Sequence, residues 1–248
     1  MGENGGRPGA GEITRDALGR HVFYQPKSGY RFSIDSVLLA AFATPTAGPV
    51  ADLCAGCGVV GLLLAARGLA GPFLAVEIDP LAAHCCQLNQ AHAGLDGQTI
   101  RADLSQDHPA LQPGGYKLVV CNPPFSQAGR GRASPDPARA KARTELALQP
   151  HDLWRQAARL LKRGDRLAFC WPASRLPQAL AELGQHRLTP KRLRLIHGRL
   201  DAPAKTALIE AVKDGGQQLS VHPPLIVHGP GQEYTPEVSA IYGDLGLF

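Results

Sequence analysis

The stretch Val50-Ala51-Asp52-Leu53-Cys54-Ala55-Gly56-Cys57-Gly58-Val59-Val60-Gly61 constrains what this chain can fold into more than any other segment. A short run suited to a buried strand enters a glycine turn, and the apolar, alanine-rich residues Leu62 to Leu69 continue as a helix. Strand, glycine turn and helix in that order open an α/β unit that binds nucleotides, because glycine tolerates the turn's backbone angles and lets a ligand approach the main chain. Gly56, Gly58 and Gly61 spell G-x-G-x-x-G, which by itself fits a dinucleotide site equally well.

Three more strand ends carry polar residues. Phe73-Leu74-Ala75-Val76 ends in Glu77-Ile78-Asp79-Pro80, which places Glu77 about 20 residues past the glycines, where a ribose diol needs a carboxylate. Asp79, just before Pro80, reads as a helix cap. Gln98 to Ala102 ends at Asp103, either an acceptor for an adenine amino group or a solvated loop acid. Finally, Lys117-Leu118-Val119-Val120 runs into Cys121-Asn122-Pro123-Pro124-Phe125. Two prolines fix their φ angles and remove two backbone donors, so this corner stays rigid. Accepting from a planar exocyclic amine through the Asn122 side-chain oxygen and the Pro123 carbonyl localises the nitrogen lone pair and aims it at an electrophile. Phe125 can stack on a base, a contact typically contributing about 1 to 3 kcal/mol. Taken alone, Asn-Pro is also an ordinary turn initiator.

Together these pieces resemble the S-adenosylmethionine-dependent methyltransferases of the Rossmann-like class. Asp52, Gly56 and Gly58 match the first motif of that class, Glu77 the second, Asp103 the third, and Asn122-Pro123-Pro124-Phe125 the amino-methylating signature. Cys54 departs from it, standing where these enzymes often carry glycine. The resemblance implies an α/β, mostly parallel twisted sheet with helices on both faces and a C-terminal antiparallel strand pair, with S-adenosyl-L-methionine as cofactor.

Length and composition agree with a globular chain. It has 248 residues, 44% hydrophobic and 19% charged, enough for one α/β domain with an appendage. With no run of about 18 apolar residues and no apolar signal core, it is expected to be cytoplasmic and free of membrane segments. Among six cysteines only Cys54 and Cys57 have C-x-x-C spacing, and no second ligand pair matches it. No metal is expected, and the cysteines read as small buried hydrophobes. The net charge of +5 favours a polyanionic partner. Its distribution matters more: Arg130, Arg132, Arg139, Lys141 and Arg143 follow the proline corner among glycines and prolines, a loop suited to RNA phosphates. A second stretch, Arg187, Lys191, Arg192, Arg194, Arg199 and Lys205, is either a further phosphate contact or a solvated surface.

Along the chain, residues 1–12 read as a disordered tail and 13–43 as a hairpin and helix that cover the cofactor site, with 44–248 as the methyltransferase domain. Ser33 is placed to cap a helix over Ile34 to Phe42. Further helices are expected near 80–93, 150–162, 174–184 and 236–242, and strands at 166–171, 192–196, 207–212 and 225–227.

A narrower resemblance covers nearly the whole chain from about residue 13. The segment from Phe23 to Leu39 and the tail segments Pro223-Pro224-Leu225-Ile226-Val227, Tyr234-Thr235-Pro236-Glu237-Val238 and Ile241-Tyr242-Gly243 are similar to the bacterial tRNA (valine-specific) adenine N6-methyltransferases. That likeness implies N6-methylation of an anticodon-loop adenine in tRNA, with Gln25, Tyr30, Arg31 and Asp35 over the cofactor. Three alternatives stay open. Ribosomal RNA guanine N2-methyltransferases use nearly the same corner, as do protein glutamine N5-methyltransferases, although the latter carry a helical domain ahead of the first motif. The third is an RNA-binding module without catalysis.

Overall fold

The computed structural model describes residues 12–28, 31–69, 71–124 and 148–248. The chain opens with a hairpin, β1 (Ile13–Leu18) and β2 (His21–Pro26), followed by α1 (Ile34–Phe42). Then come β3 (Val50–Leu53), α2 (Val59–Ala66), β4 (Phe73–Glu77), α3 (Pro80–Ala93), β5 (Gly97–Arg101) and β6 (Tyr116–Cys121). The last part holds α4 (Pro150–Leu160), β7 (Leu161–Pro172), α5 (Leu176–Gln185), β8 (Leu188–His197), β9 (Ala204–Lys213), β10 (Ser220–Val221), β11 (Leu225–Ile226) and α6 (Pro236–Asp244).

The main sheet runs β10-β8-β9-β7-β6-β3-β4-β5, with β11 also on β8. Neighbouring strands from β5 to β7 are parallel, and β9 is antiparallel to both β7 and β8. This is the mostly parallel α/β sheet that the strand, turn and helix order predicts, and the antiparallel pair at its C-terminal side is β8 with β9.

Helices cover both faces, so the central strands are apolar on each side; all four residues of β3 are buried. Successive side chains alternate between the layers. Val50, Ala75, Leu118 and Val120 pack with α1, α2 and α6, whereas Ala51, Leu53, Val76, Val119 and Cys121 pack with α4 and α5. By this alternation Asp52, Glu77 and Asn122 all belong to the face that carries α1 and α2, at the carboxyl ends of adjacent parallel strands.

Local signals set most boundaries. The hairpin turns at Gly19, α1 spans Ile34–Phe42, and α3 begins at Pro80 with Asp79 Oδ1 accepting from the Ala82 N–H at 2.8 Å. Two details differ from expectation. Ser33 holds the cap position of α1, but its hydroxyl donates to Asp35 Oδ2 at 3.4 Å instead of accepting from the helix. The expected helix over 150–162 ends at Leu160, and β7 begins at Leu161, five residues before the predicted start. Buried Asp165 explains the longer strand: it accepts from the Lys162 N–H at 3.0 Å and from Lys117 Nζ at 3.1 Å, which ties β7 to β6 through Gly164.

Candidate active site

A cleft opens where β3 and β6 end. The turn Cys54–Cys57 forms its floor, Phe32 and Ser36 border it from the α1 side, and Asn122 closes it from β6. Gly56 and Gly58 have φ of +56° and +81°, the left-handed region that glycine enters without strain. Gly61 serves packing instead: a Cβ there would strike the Phe73 ring, so α2 lies closer to the sheet than any other residue would allow. Cys54 has φ +59°. It adopts the conformation of the glycine that the first motif usually carries, at a cost of about 1 to 2 kcal/mol.

Two carboxylates define the β3–β4 side. Asp52 is 1% exposed, and neither of its oxygens has a hydrogen-bond partner. Burial first, and the charge of Glu77 second, raise its carboxyl well above the ordinary value, with a weak offset from the nearby Gly61 N–H that falls short of a hydrogen bond. A buried acid without a partner is costly and fits a site that a cation completes. Glu77 is held by the main chain: Oε2 accepts from the Gly56 N–H and Oε1 from the Asp79 N–H, both at 2.8 Å. Each oxygen keeps acceptor capacity for a hydroxyl. Burial raises its carboxyl, and the N–H groups of Asp79 and Gly56 pull it back down.

On the β6 side Asn122 is buried, and its Nδ2 donates to Ser36 Oγ at 3.0 Å. Pro123 is buried behind it and Pro124 is exposed. Phe125 lies outside the described residues, as do Tyr30 and all five basic residues proposed for RNA: Arg130, Arg132, Arg139, Lys141 and Arg143.

The other expected site residues divide. Gly56 and Asn122 line the cleft, and Glu77 adjoins it through its bond from the Gly56 N–H, whereas Gly58 and buried Asp52 are not among the residues that line it. Asp103 is exposed, and its Oδ1 accepts from the Ser105 N–H at 2.8 Å, a local turn contact. Asp35 sits one helix position before Ser36, bonded to Ser33 and close to Thr206 of β9, and burial raises its carboxyl. Gln25 and Arg31 hold the hairpin together. Gln25 Nε2 donates to Asp16 and its Oε1 accepts from the Phe32 N–H, and Arg31 pairs with Asp16 at 2.6 Å.

Asn89 is a residue that sequence reasoning missed. It is 1% exposed on α3. Its Nδ2 donates to the carbonyls of Tyr24 and Cys57 at 2.9 and 2.7 Å, and its Oδ1 accepts from the Tyr24 N–H at 2.7 Å. One amide thus fastens the hairpin to the glycine turn. The only signal in the sequence is a polar residue on the buried face of a helix.

Most of the second basic stretch is used by the fold itself. Arg192 bonds the Phe42 carbonyl, Thr44 and buried Glu210, with its guanidinium 4.3 Å from the Phe42 ring centroid. Arg187 pairs with Asp214 and Arg194 with Glu237, while Arg199 donates to the carbonyls of Gly229 and Pro230. Lys191 bonds the Gly216 carbonyl. Five of the cysteines are buried, and burial pushes the Cys57 and Cys86 thiols up to about 12. No cluster of three or more candidate metal ligands occurs among the described residues, and among them no helix is long and apolar enough to cross a membrane.

Comparison with known proteins bears on the family and the fold. The methyltransferase small domain model matches residues 33–175. A tRNA1(Val) (adenine(37)-N6)-methyltransferase of Porphyromonas gingivalis is 32% identical over 172 residues, 66% of this chain and 67% of that one. The protein of the same name from Shewanella woodyi is 28% identical over 86% of this chain and 90% of its own. Among solved structures, a predicted O-methyltransferase of Agrobacterium tumefaciens superposes with a TM-score of 0.67 at 23% identity, covering 86% of this chain and 98% of that one. TYW2 of M. jannaschii, solved in complex with AdoMet, superposes at 0.56 and 15% identity over 81% of this chain and 85% of its own. These two show the shared fold.

Proposed function

This chain belongs to the methyltransferase small domain family, an S-adenosylmethionine-dependent class, and from that premise we propose that it methylates N6 of an adenine in the anticodon loop of a tRNA. The observation that carries this reading is the buried Asn122 amide, rigidly followed by Pro123 and Pro124, facing a glycine turn with an unpartnered carboxylate. The names of the relatives support the substrate class.

The residues of the cleft fit the cofactor. Its cationic groups suit Asp52, its ribose hydroxyls suit the free acceptor capacity of Glu77, and the open backbone at Gly56 leaves room for the chain of the ligand. When bound, S-adenosylmethionine supplies a methyl group on an electron-poor sulfonium. The protein supplies the rest by holding and excluding. Asn122 Oδ1 and the Pro123 carbonyl accept from the two N–H groups of the amine, which makes its lone pair available without prior deprotonation. Phe32 and the turn line the cleft, and hydrogen bonds beside such walls are stronger than in bulk water. A base in a tRNA loop is already unpaired, so bringing it into the cleft costs less than extraction from a duplex. The basic residues from Arg130 to Arg143 suit the phosphates of the arm.

The test is nucleoside mass spectrometry of tRNA lacking this modification, after treatment with protein and S-adenosylmethionine. A new N6-methyladenosine peak that maps to the anticodon loop is expected. Methylation of guanine N2, or of a protein glutamine instead, refutes the reading.

A further inference from the structure

We propose that Ser36 is the positioning residue that sets the Asn122 amide for transfer, a role that rests on the methyltransferase reading above. Asn122 Nδ2 donates to Ser36 Oγ at 3.0 Å. The two residues are 9% and 5% exposed, so water competes little for the bond. The two ends of an amide are chemically opposite, since nitrogen only donates and oxygen only accepts. An amide turned over by 180° would present N–H to an incoming amine and repel it. The Ser36 hydroxyl can donate as well as accept, so its part is to fix the place of the amide plane, with Nδ2 facing α1.

The hydroxyl is well placed for this work. Ser36 is the third residue of α1, its own N–H donates to the Ser33 carbonyl at 3.1 Å, and α1 packs against α2 and β7. It therefore projects from a fixed element, as accurate positioning requires. The neighbouring Asp35 is directed to Ser33 and Thr206 and takes no part. Ser36 acts through Asn122, so its loss is expected to slow the chemical step while leaving both ligands bound.

Ser36→Ala is to be compared with the native protein on tRNA. The expected result is a fall in kcat on the order of 10- to 100-fold, the scale of a small misplacement of a reacting group, with KM for tRNA and calorimetric cofactor affinity within about two-fold. In an Asn122→Ala background the same substitution is expected to cause no further loss. Unchanged kcat in Ser36→Ala overturns the proposal, and so does a loss in which cofactor affinity falls as much as kcat. Native protein that leaves tRNA unmethylated refutes the substrate reading alone. The Ser36 role is then decided by denaturant unfolding of the two single variants and the double: non-additive stabilities support the bond, and additive ones overturn it.

Discussion

Beside the cleft β3 and β4 carry carboxyl groups, Asp52 buried without a hydrogen-bond partner and Glu77 held by two backbone N–H groups, whereas β6 carries a neutral amide that bonds a hydroxyl. The two sides differ in electrical character. On the function proposed above, a cofactor that brings positive charge is met on the acidic side. An amine that must stay neutral to act as a nucleophile is met by acceptors without formal charge. The division falls between adjacent strands, so one sheet edge carries both environments a few ångströms apart.

The sharpest way to break this comparison is Asn122→Ala. It is expected to lower kcat about 100- to 1000-fold, as loss of a transition-state contact does, while calorimetric affinity for S-adenosylmethionine stays within about two-fold. Equal losses in both quantities would mean that the sides are not separate.

Next in size is Asn89→Ala, which removes the three hydrogen bonds of a buried side chain that join the hairpin to the glycine turn. A destabilisation of about 2 to 4 kcal/mol is expected from denaturant unfolding, along with weaker cofactor binding. Glu77→Ala is expected to weaken cofactor binding by about 1 kcal/mol or more, a charge-assisted hydrogen bond, with kcat at saturation little changed. Calorimetry with saturating kinetics checks both.

Asp52 sharpens the electrical side of the comparison. Its folded carboxyl titrates above its ordinary value of 3.8 because burial and Glu77 disfavour the charge. Burial and Glu77 thus act against its ionised form in the ligand-free fold. Its stabilising contribution is complete below about pH 4 and is lost as pH rises through the raised value. Asp52→Asn is therefore expected to raise the melting temperature of the ligand-free protein near pH 7.5 by about 2 to 4 °C, the scale of 1 kcal/mol in a chain of this size. The same change is expected to weaken cofactor binding, measured by calorimetry. The smallest effect is Cys54→Gly, which relieves φ +59° but adds freedom to the unfolded chain, and is expected to stabilise by about 0.5 to 1 kcal/mol in denaturant titration.

The amino-acid sequence by itself determined the hairpin, the spans of α1 and α3, and the placing of Asp52, Glu77 and Asn122 at the ends of buried strands. Those features rest on local physics: glycine and proline restrict their own backbone, caps act within one turn, and apolar periodicity extends over a single element. Tertiary structure decided the rest. Helix rotation chose Ser36 over its neighbour Asp35 to meet Asn122, and packing of the hairpin on α3 gave Asn89 its three partners. Glu210, contributed by a distant strand, turned Arg192 from a candidate phosphate contact into a fastening of the fold. Each of these depends on which residues distant along the chain come to lie side by side, and no local pattern encodes that register.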